Sequence, residues 1–393
     1  MATKLNSRSP YYIPLTDVSL DSATLNLYIY SGEFGTDKPS TPQFKLQKDI
    51  LGSTGGTILF EIGELVRDYI EVSFNQEYTE DLYAQRVVDD YGVFEGSSCL
   101  SAILNTLDDD YRSGCFWVEA DCTLLNPAAE IRSENFDFIA FDGYSYFTDG
   151  ANAELSRTLL QSNTIIYSKS GEPVRVPVFT EEVTSVQFYN GGVLQSTQNI
   201  SSSTNSNAQV KYATTTADVD EIRVISGDET LYLKIYQTED CETTPTNIAP
   251  TSGIYTPYKI TFVNKFGVLQ DMWFFGKSIE SINTESKEYK ANVINQELGT
   301  YDIQVHQYRQ FHKKGKESIK MNTGYISEQY NEVIKQMMLS EQVWMTKTID
   351  SEEVVIPIRP KTESLTYKTR VNDKLINYSI DFESAFDEIN NIR

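Results

Sequence analysis

The chain has 393 residues, a formal net charge of −23 and 12% aromatic side chains. At roughly 100 to 200 residues per domain this gives two to four domains, each able to bury a core; the 25 Tyr and 19 Phe supply surface to bury, which excludes a chain that stays disordered. A surface this acidic repels phosphate, which argues against wrapping nucleic acid, although a wall past which DNA slides would profit from it; the same acidity also simply keeps a β-rich surface soluble.

The N-terminal stretch MATKLNSRSPYYIPLTDVSL has no apolar core of a signal peptide. No later segment approaches the roughly 18 apolar residues that cross a bilayer, so no membrane insertion is expected. Alternation then dominates. In ATLNLYIYSG, Leu25, Leu27 and Ile29 share one face and Tyr28 and Tyr30 the other, and PQFKLQKD follows with Phe44 and Leu46. TILFEIGELVRDYIEV reads as a strand running into a short helix, and RSGCFWVEADCTLL as a strand anchored by Trp117. Residues 1–130 are thus expected to form a sandwich of immunoglobulin-like or fibronectin-like spacing.

A second β-sandwich is expected over 131–242. VTSVQFYNGGVLQS turns at Asn190-Gly191 and DEIRVISGDETLYLKIYQ at Gly227-Asp228, while NISSSTNSNAQ reads as a polar loop. The Thr- and Pro-rich run at 243–253 is the expected linker. The third block, 254–393, opens with strands that turn at Asn264-Lys265. It contains one amphipathic helix, SEQYNEVIKQMML, capped by Ser327 and striped by Tyr330, Val333, Ile334, Met337 and Met338, and it ends in a hairpin turning at Asn372-Asp373. The fold class is mainly β, tandem sandwiches with one or two short helices. No repeat of 20 to 50 residues marks a solenoid or propeller.

Chemistry is thinly signalled. In FDFIAFDGYSYFTDG the acids Asp137, Asp142 and Asp149 miss the spacing of a calcium loop. Asp142-Gly143 is expected to be a type I′ turn and Asp149-Gly150 a second turn, with Asp137 on a strand face. Only His306 and His312 are available for zinc, with no HExxH or Cys-rich spacing, and no nucleophile motif surrounds any Cys or Ser. Carboxylate pairs for glycoside hydrolysis cannot be sought among 56 acids. GSTGGT, Gly52 to Thr57, lacks the Lys of a phosphate loop and reads as a hairpin turn. Cys99, Cys115, Cys122 and Cys241 read as reduced thiols in a chain made in a cytoplasm, with Cys115 and Cys122 on opposite strand faces; the sequons at Asn199 and Asn377 are then accidental. No catalytic, cofactor or metal site is expected.

One basic cluster stands out in the acidic chain: YRQFHKKGKESIK, with Arg309, Lys313, Lys314, Lys316 and Lys320. It reads either as a solvated loop or as a contact that docks on an acidic face of a neighbouring subunit. Trp117, Trp273, Phe274, Phe275 and Trp344 are candidates for core or interface, with core favoured for each.

Several stretches together resemble virion proteins of tailed phages that infect Bacteroidetes, crAss-like phages among them. These are SRSPYYIPL, SATLNLYIYSG, FEIGELVRDYI, FIAFDGYSYFTDG, LSEQVWM, VVIPI and TYKTRVNDKLINYSIDFESAFDEINNIR. The resemblance covers both ends and part of the middle and carries no catalytic motif. It implies a β-rich, non-enzymatic part of the tail, collar or head-to-tail connector ring, made in the host cytoplasm. Such a protein assembles in many copies beside other tail or connector proteins, with DNA at most passing through a lumen. Two rival readings stand beside it: a receptor-binding or decorating fibre that recognises surface glycan, and a carbohydrate hydrolase on a β scaffold.

Overall fold

The structure, a computed structural model, describes residues 3–31, 34–50, 55–70, 116–153, 159–181, 183–200, 210–215, 218–227, 229–238, 255–295, 297–301, 303–349, 352–362 and 375–388. It is mainly β, with two short α-helices among the described residues. The expected linker at 243–253, the polar loop from 201 to 209, Asp228 and the turn at Asn372-Asp373, and Cys99, Cys115 and Cys241 lie outside them.

The first module is a five-stranded sheet faced by a two-stranded ribbon, Tyr12–Asp17 paired with Gly56–Glu61. The alternation of Ser22–Ser31 sets the layers: Leu25, Leu27 and Ile29 point into the core between sheet and ribbon, where Phe60, Val66, Val118 and Leu124 meet them. Tyr30 points the other way, into a different cluster. The short helix Gly63–Arg67 follows its strand as expected and buries Val66. Strand Glu130–Phe141 pairs along its length with Phe116–Leu125, and its end runs parallel to Thr3–Asn6. The first module therefore extends through Phe141, and the boundary expected at 130 moves beyond that strand.

The strands on either side of the glycine run, Phe44–Asp49 and Gly56–Glu61, pair with different partners, Ser22–Ser31 and Tyr12–Asp17, and so do not form a hairpin with each other; Gly52, Ser53 and Thr54 lie outside the described residues. Gly55, at φ +90°, is required there: a Cβ would come 2.3 Å from the Val18 carbonyl oxygen.

The middle module sets a five-stranded sheet against the pair Val174–Phe179 and Val210–Thr215, with Val176, Val178, Phe188, Ile222 and Leu233 between them. The hairpin of Ser185–Asn190 and Val193–Asn199 turns on Gly191 and Gly192, both at positive φ, one residue later than Asn190-Gly191. The third module is a seven-stranded sheet covered by the helix Asn331–Leu339. Ser327 caps the 3-10 turn that leads into that helix, accepting from the Gln329 amide, and Tyr330, Val333, Ile334 and Met337 are buried. The turn after Tyr258–Val263 forms where expected: Asn264 Oδ1 accepts the Phe266 amide at 2.9 Å.

All five aromatic anchors are buried, and two of them explain how the modules hold together. Trp117 from the first, Phe179 and Tyr212 from the middle, and Phe266 and Trp344 from the third share one cluster. Polar groups knit the same seam. Asn264 Nδ2 donates to the Leu160 carbonyl at 2.8 Å, the Leu269 amide to Tyr212 Oη at 2.8 Å, and the Ser327 amide to Tyr167 Oη at 2.9 Å. The middle module is thus joined to the third by hydrogen bonds and meets the first through the shared apolar cluster.

Candidate assembly surface

Three carboxylates of the FDFIAFDGYSYFTDG stretch separate into three roles. Asp137 faces outward on its strand, opposite Glu119. Burial and the Glu119 charge push its carboxyl above the usual range, while Glu119 accepts from Tyr30 Oη and, at 2.7 Å, from Lys38 Nζ. Asp149 closes a single 3-10 turn, accepting the Tyr146 amide at 2.9 Å, with Gly150 at φ +76°.

Asp142 corrects the expectation of a type I′ turn. Neither it nor Gly143 has positive φ. Its carboxylate is buried and takes a two-pronged bond from Arg8, Nε to Oδ1 at 2.6 Å and Nη2 to Oδ2 at 2.7 Å. Gly143 is small because the third module passes over it: a Cβ would sit 2.7 Å from the Lys265 carbonyl oxygen, and the Tyr144 amide donates to that oxygen at 2.8 Å. The acid thus ties the N-terminal segment to the end of the first module's last strand, and Gly143 and Tyr144 beside it meet the third module. Among the described residues no group of three or more His, Cys, Asp or Glu is placed to hold a metal ion, and no helix is long and apolar enough to cross a membrane.

Cys122 is buried, and burial with the nearby Glu134 pushes its thiol up to about 12. A thiolate is the reactive form. In native protein at pH 8, peptide mapping after iodoacetamide is expected to find Cys122 unmodified, and modified once the chain is unfolded in urea. Labelling at equal rates in both states would contradict its burial.

The basic cluster lies on the strand Tyr308–Asn322, which is exposed from Tyr308 through Lys314. Tyr308–Asn322 pairs with Ile279–Lys290 at the edge of the seven-stranded sheet. Its second partner, Ser379–Ser384, pairs with Ser318–Asn322, and just beyond it the Glu388 amide donates to the Gly315 carbonyl at 2.8 Å, so from Tyr308 to Lys314 the two long strands form a ribbon that leaves the sheet. The sequence explains why it leaves. Every residue of IESINTESKEYK is exposed, since its apolar residues do not alternate and offer no face to a core. On the other strand only the inner end alternates, where Ile319 and Met321 are buried.

The register sorts the ribbon's side chains. Opposed residues share a face, so Ile279, Ser281, Asn283 and Glu285 lie with Lys320, Ser318, Lys316 and Lys314. Between Glu285 and Lys287 the second strand carries one residue more than the first, and His312 there has φ +54°. Such a bulge flips the side-chain parity. Lys287 and Tyr289 consequently meet Phe311 and Arg309 on the same face as Lys314, Lys316 and Lys320, with Lys313 inside the bulge. Four of the five residues of the basic cluster are gathered on one face. Lys316 reaches Asp387 at 3.9 Å and Lys320 reaches Asp381 at 3.5 Å; among the described residues Arg309, Lys313 and Lys314 form no ion pair. The Tyr289 and Phe311 rings meet edge to face at 5.9 Å between them.

The apolar side chains of this ribbon were not singled out by sequence reasoning. Of the 21 large apolar residues that stand exposed among the described residues, ten lie between Ile279 and Phe311. Leu298, Tyr301 and Ile303 at its outer end are 72%, 67% and 88% exposed. A signal was present in the sequence: aliphatic and aromatic residues scattered among charges over some 30 positions, without the period of either helix or half-buried strand. No family model and no curated protein matches the chain.

Proposed function

We propose that this chain is a non-enzymatic structural protein of a tailed-phage particle, present in many copies in the tail, collar or head-to-tail connector ring. The carrying observation is the ribbon that leaves the third module with ten large apolar side chains uncovered. Apolar surface gathered in one place on an otherwise polar body is surface to be covered by another chain. A three-module body joined through one shared cluster fits the same reading, because a subunit that transmits force within a particle gains from modules that do not swing. The placement in a phage particle rests on the resemblance of the series of segments that begins with SRSPYYIPL and ends with TYKTRVNDKLINYSIDFESAFDEINNIR to virion proteins of tailed phages; its neighbours are then other tail or connector proteins, with DNA at most passing an acidic lumen.

Electron microscopy and mass determination of the purified chain and of its particle test this. A closed ring or particle-bound collar, at a fixed multiple of 44.6 kDa, is the expected result. A free monomer or trimer that binds cells or glycan arrays would overturn it in favour of a receptor-binding fibre.

A further inference from the structure

We propose that the ribbon between Ile279 and Asn322 docks on the acidic body of a second copy of this chain, its basic, aromatic face turned inward. This deepens the multi-copy reading and rests on it. A two-stranded ribbon standing alone in water is marginal in stability, since each strand has only one neighbour and neither face is buried. Here the pairing continues for several residues past the last contact with the parent sheet and carries exposed Tyr289, Tyr308 and Phe311. A covering surface accounts for its persistence.

Charge selects the cover. Positions 279–322 contain seven Lys or Arg and six Asp or Glu, a net of +1 in a chain of −23, so the remaining residues carry −24. Arg309, Lys313 and Lys314, which form no ion pair among the described residues, lie on the strand that carries Phe311 of the Tyr289–Phe311 pair. Aromatic rings flanked by Arg are the composition that carries binding energy at protein interfaces. A strongly acidic partner surface complements that face, and each copy supplies one on its own body. Ribbon and body are different patches, so the contact is heterologous, the kind that closes rings.

The test uses the full chain. Equal amounts of ¹⁴N- and ¹⁵N-labelled protein are mixed and joined with a zero-length carboxyl-amine cross-linker, and the linked peptides are identified by mass. Links from Lys313 or Lys314 to carboxylates of the oppositely labelled copy are expected. The triple variant Arg309→Glu, Lys313→Glu, Lys314→Glu changes only exposed side chains; it is expected to fold with unchanged circular dichroism, lose those links and bind other copies at least tenfold more weakly at low salt. Links confined to one isotope, or a triple variant that assembles like the parent, overturn the proposal even where rings form, and the multi-copy reading then survives through another surface. A chain that stays monomeric at every concentration overturns both.

Discussion

Replacing Arg8 by Met is expected to lower unfolding stability by about 3–5 kcal/mol, the penalty for removing one partner of a buried ion pair and stranding the other. The pair is well made: both carboxylate oxygens of Asp142 are met by the guanidinium, and the two side chains are 10% and 4% exposed. Glu341, 3.4 Å from Arg8, is itself a carboxylate, so on loss of the guanidinium it adds like charge near Asp142 and gives it no new partner. Burial already lifts the Asp142 carboxyl above its usual range against the pull of Arg8. Without Arg8 it rises further and takes up a proton, so the loss should be largest near pH 8 and shrink toward pH 5. The double variant Arg8→Met, Asp142→Leu removes both charges and should recover part of the loss. Three modules need not unfold in one step. Trp117 and Trp344 lie in the shared cluster, which makes tryptophan fluorescence during urea unfolding a suitable reporter of the seam. A loss below about 1 kcal/mol would show that the pair behaves as a surface salt bridge does.

The fold class could be read from the sequence because alternation is a local property. Leu25, Leu27 and Ile29 against Tyr28 and Tyr30 define two faces without reference to any other strand, and the structure keeps them apart: the aliphatic face is buried in one cluster, while Tyr30 and the half-buried Tyr28 pack into another. The helix stripe from Tyr330 to Met337 was legible for the same reason. What failed was non-local. Asp-Gly between two aromatic runs has the composition of a hairpin turn, yet Asp142 answers to Arg8 and Gly143 to the third module's turn, partners more than a hundred residues away.

The basic cluster was half legible. Composition located Arg309 to Lys320, but strict alternation would have put Arg309 and Lys314 on opposite faces. The bulge at His312 reverses that. No rule of composition marks where an extra residue enters a strand, so the single basic face emerges only from the register.

Asp271→Asn is expected to stabilise the protein at pH 8–9 by a few kcal/mol and to leave it little changed near pH 4. Asp271 sits where the third module's strand Leu269–Phe274 meets Val174–Phe179 of the middle module, and burial pushes its carboxyl up to about 8. Thr261 Oγ1 donates to it at 2.8 Å, whereas Arg175 Nη1 stands 3.7 Å away, beyond hydrogen-bond reach. Its side chain keeps 17% of its surface, which leaves water some access and trims the effect. In the unfolded chain the group loses its proton near pH 4. Between about 4 and 8 the folded state therefore holds a proton that the unfolded state has released, and stability falls as pH rises. This contribution is fully present below pH 4 and is lost by the time pH passes 8. The gap between about 4 in the unfolded chain and about 8 in the folded one corresponds to an upper bound of roughly 5 kcal/mol. Asn keeps an acceptor for Thr261 and cannot ionise, so its melting temperature should lack this slope. The readout is the difference in melting temperature between parent and variant at each pH, which cancels the general self-repulsion of a chain at −23. A difference that stays constant from pH 5 to 9 would mean that Asp271 is already ionised throughout and that Arg175 holds its charge.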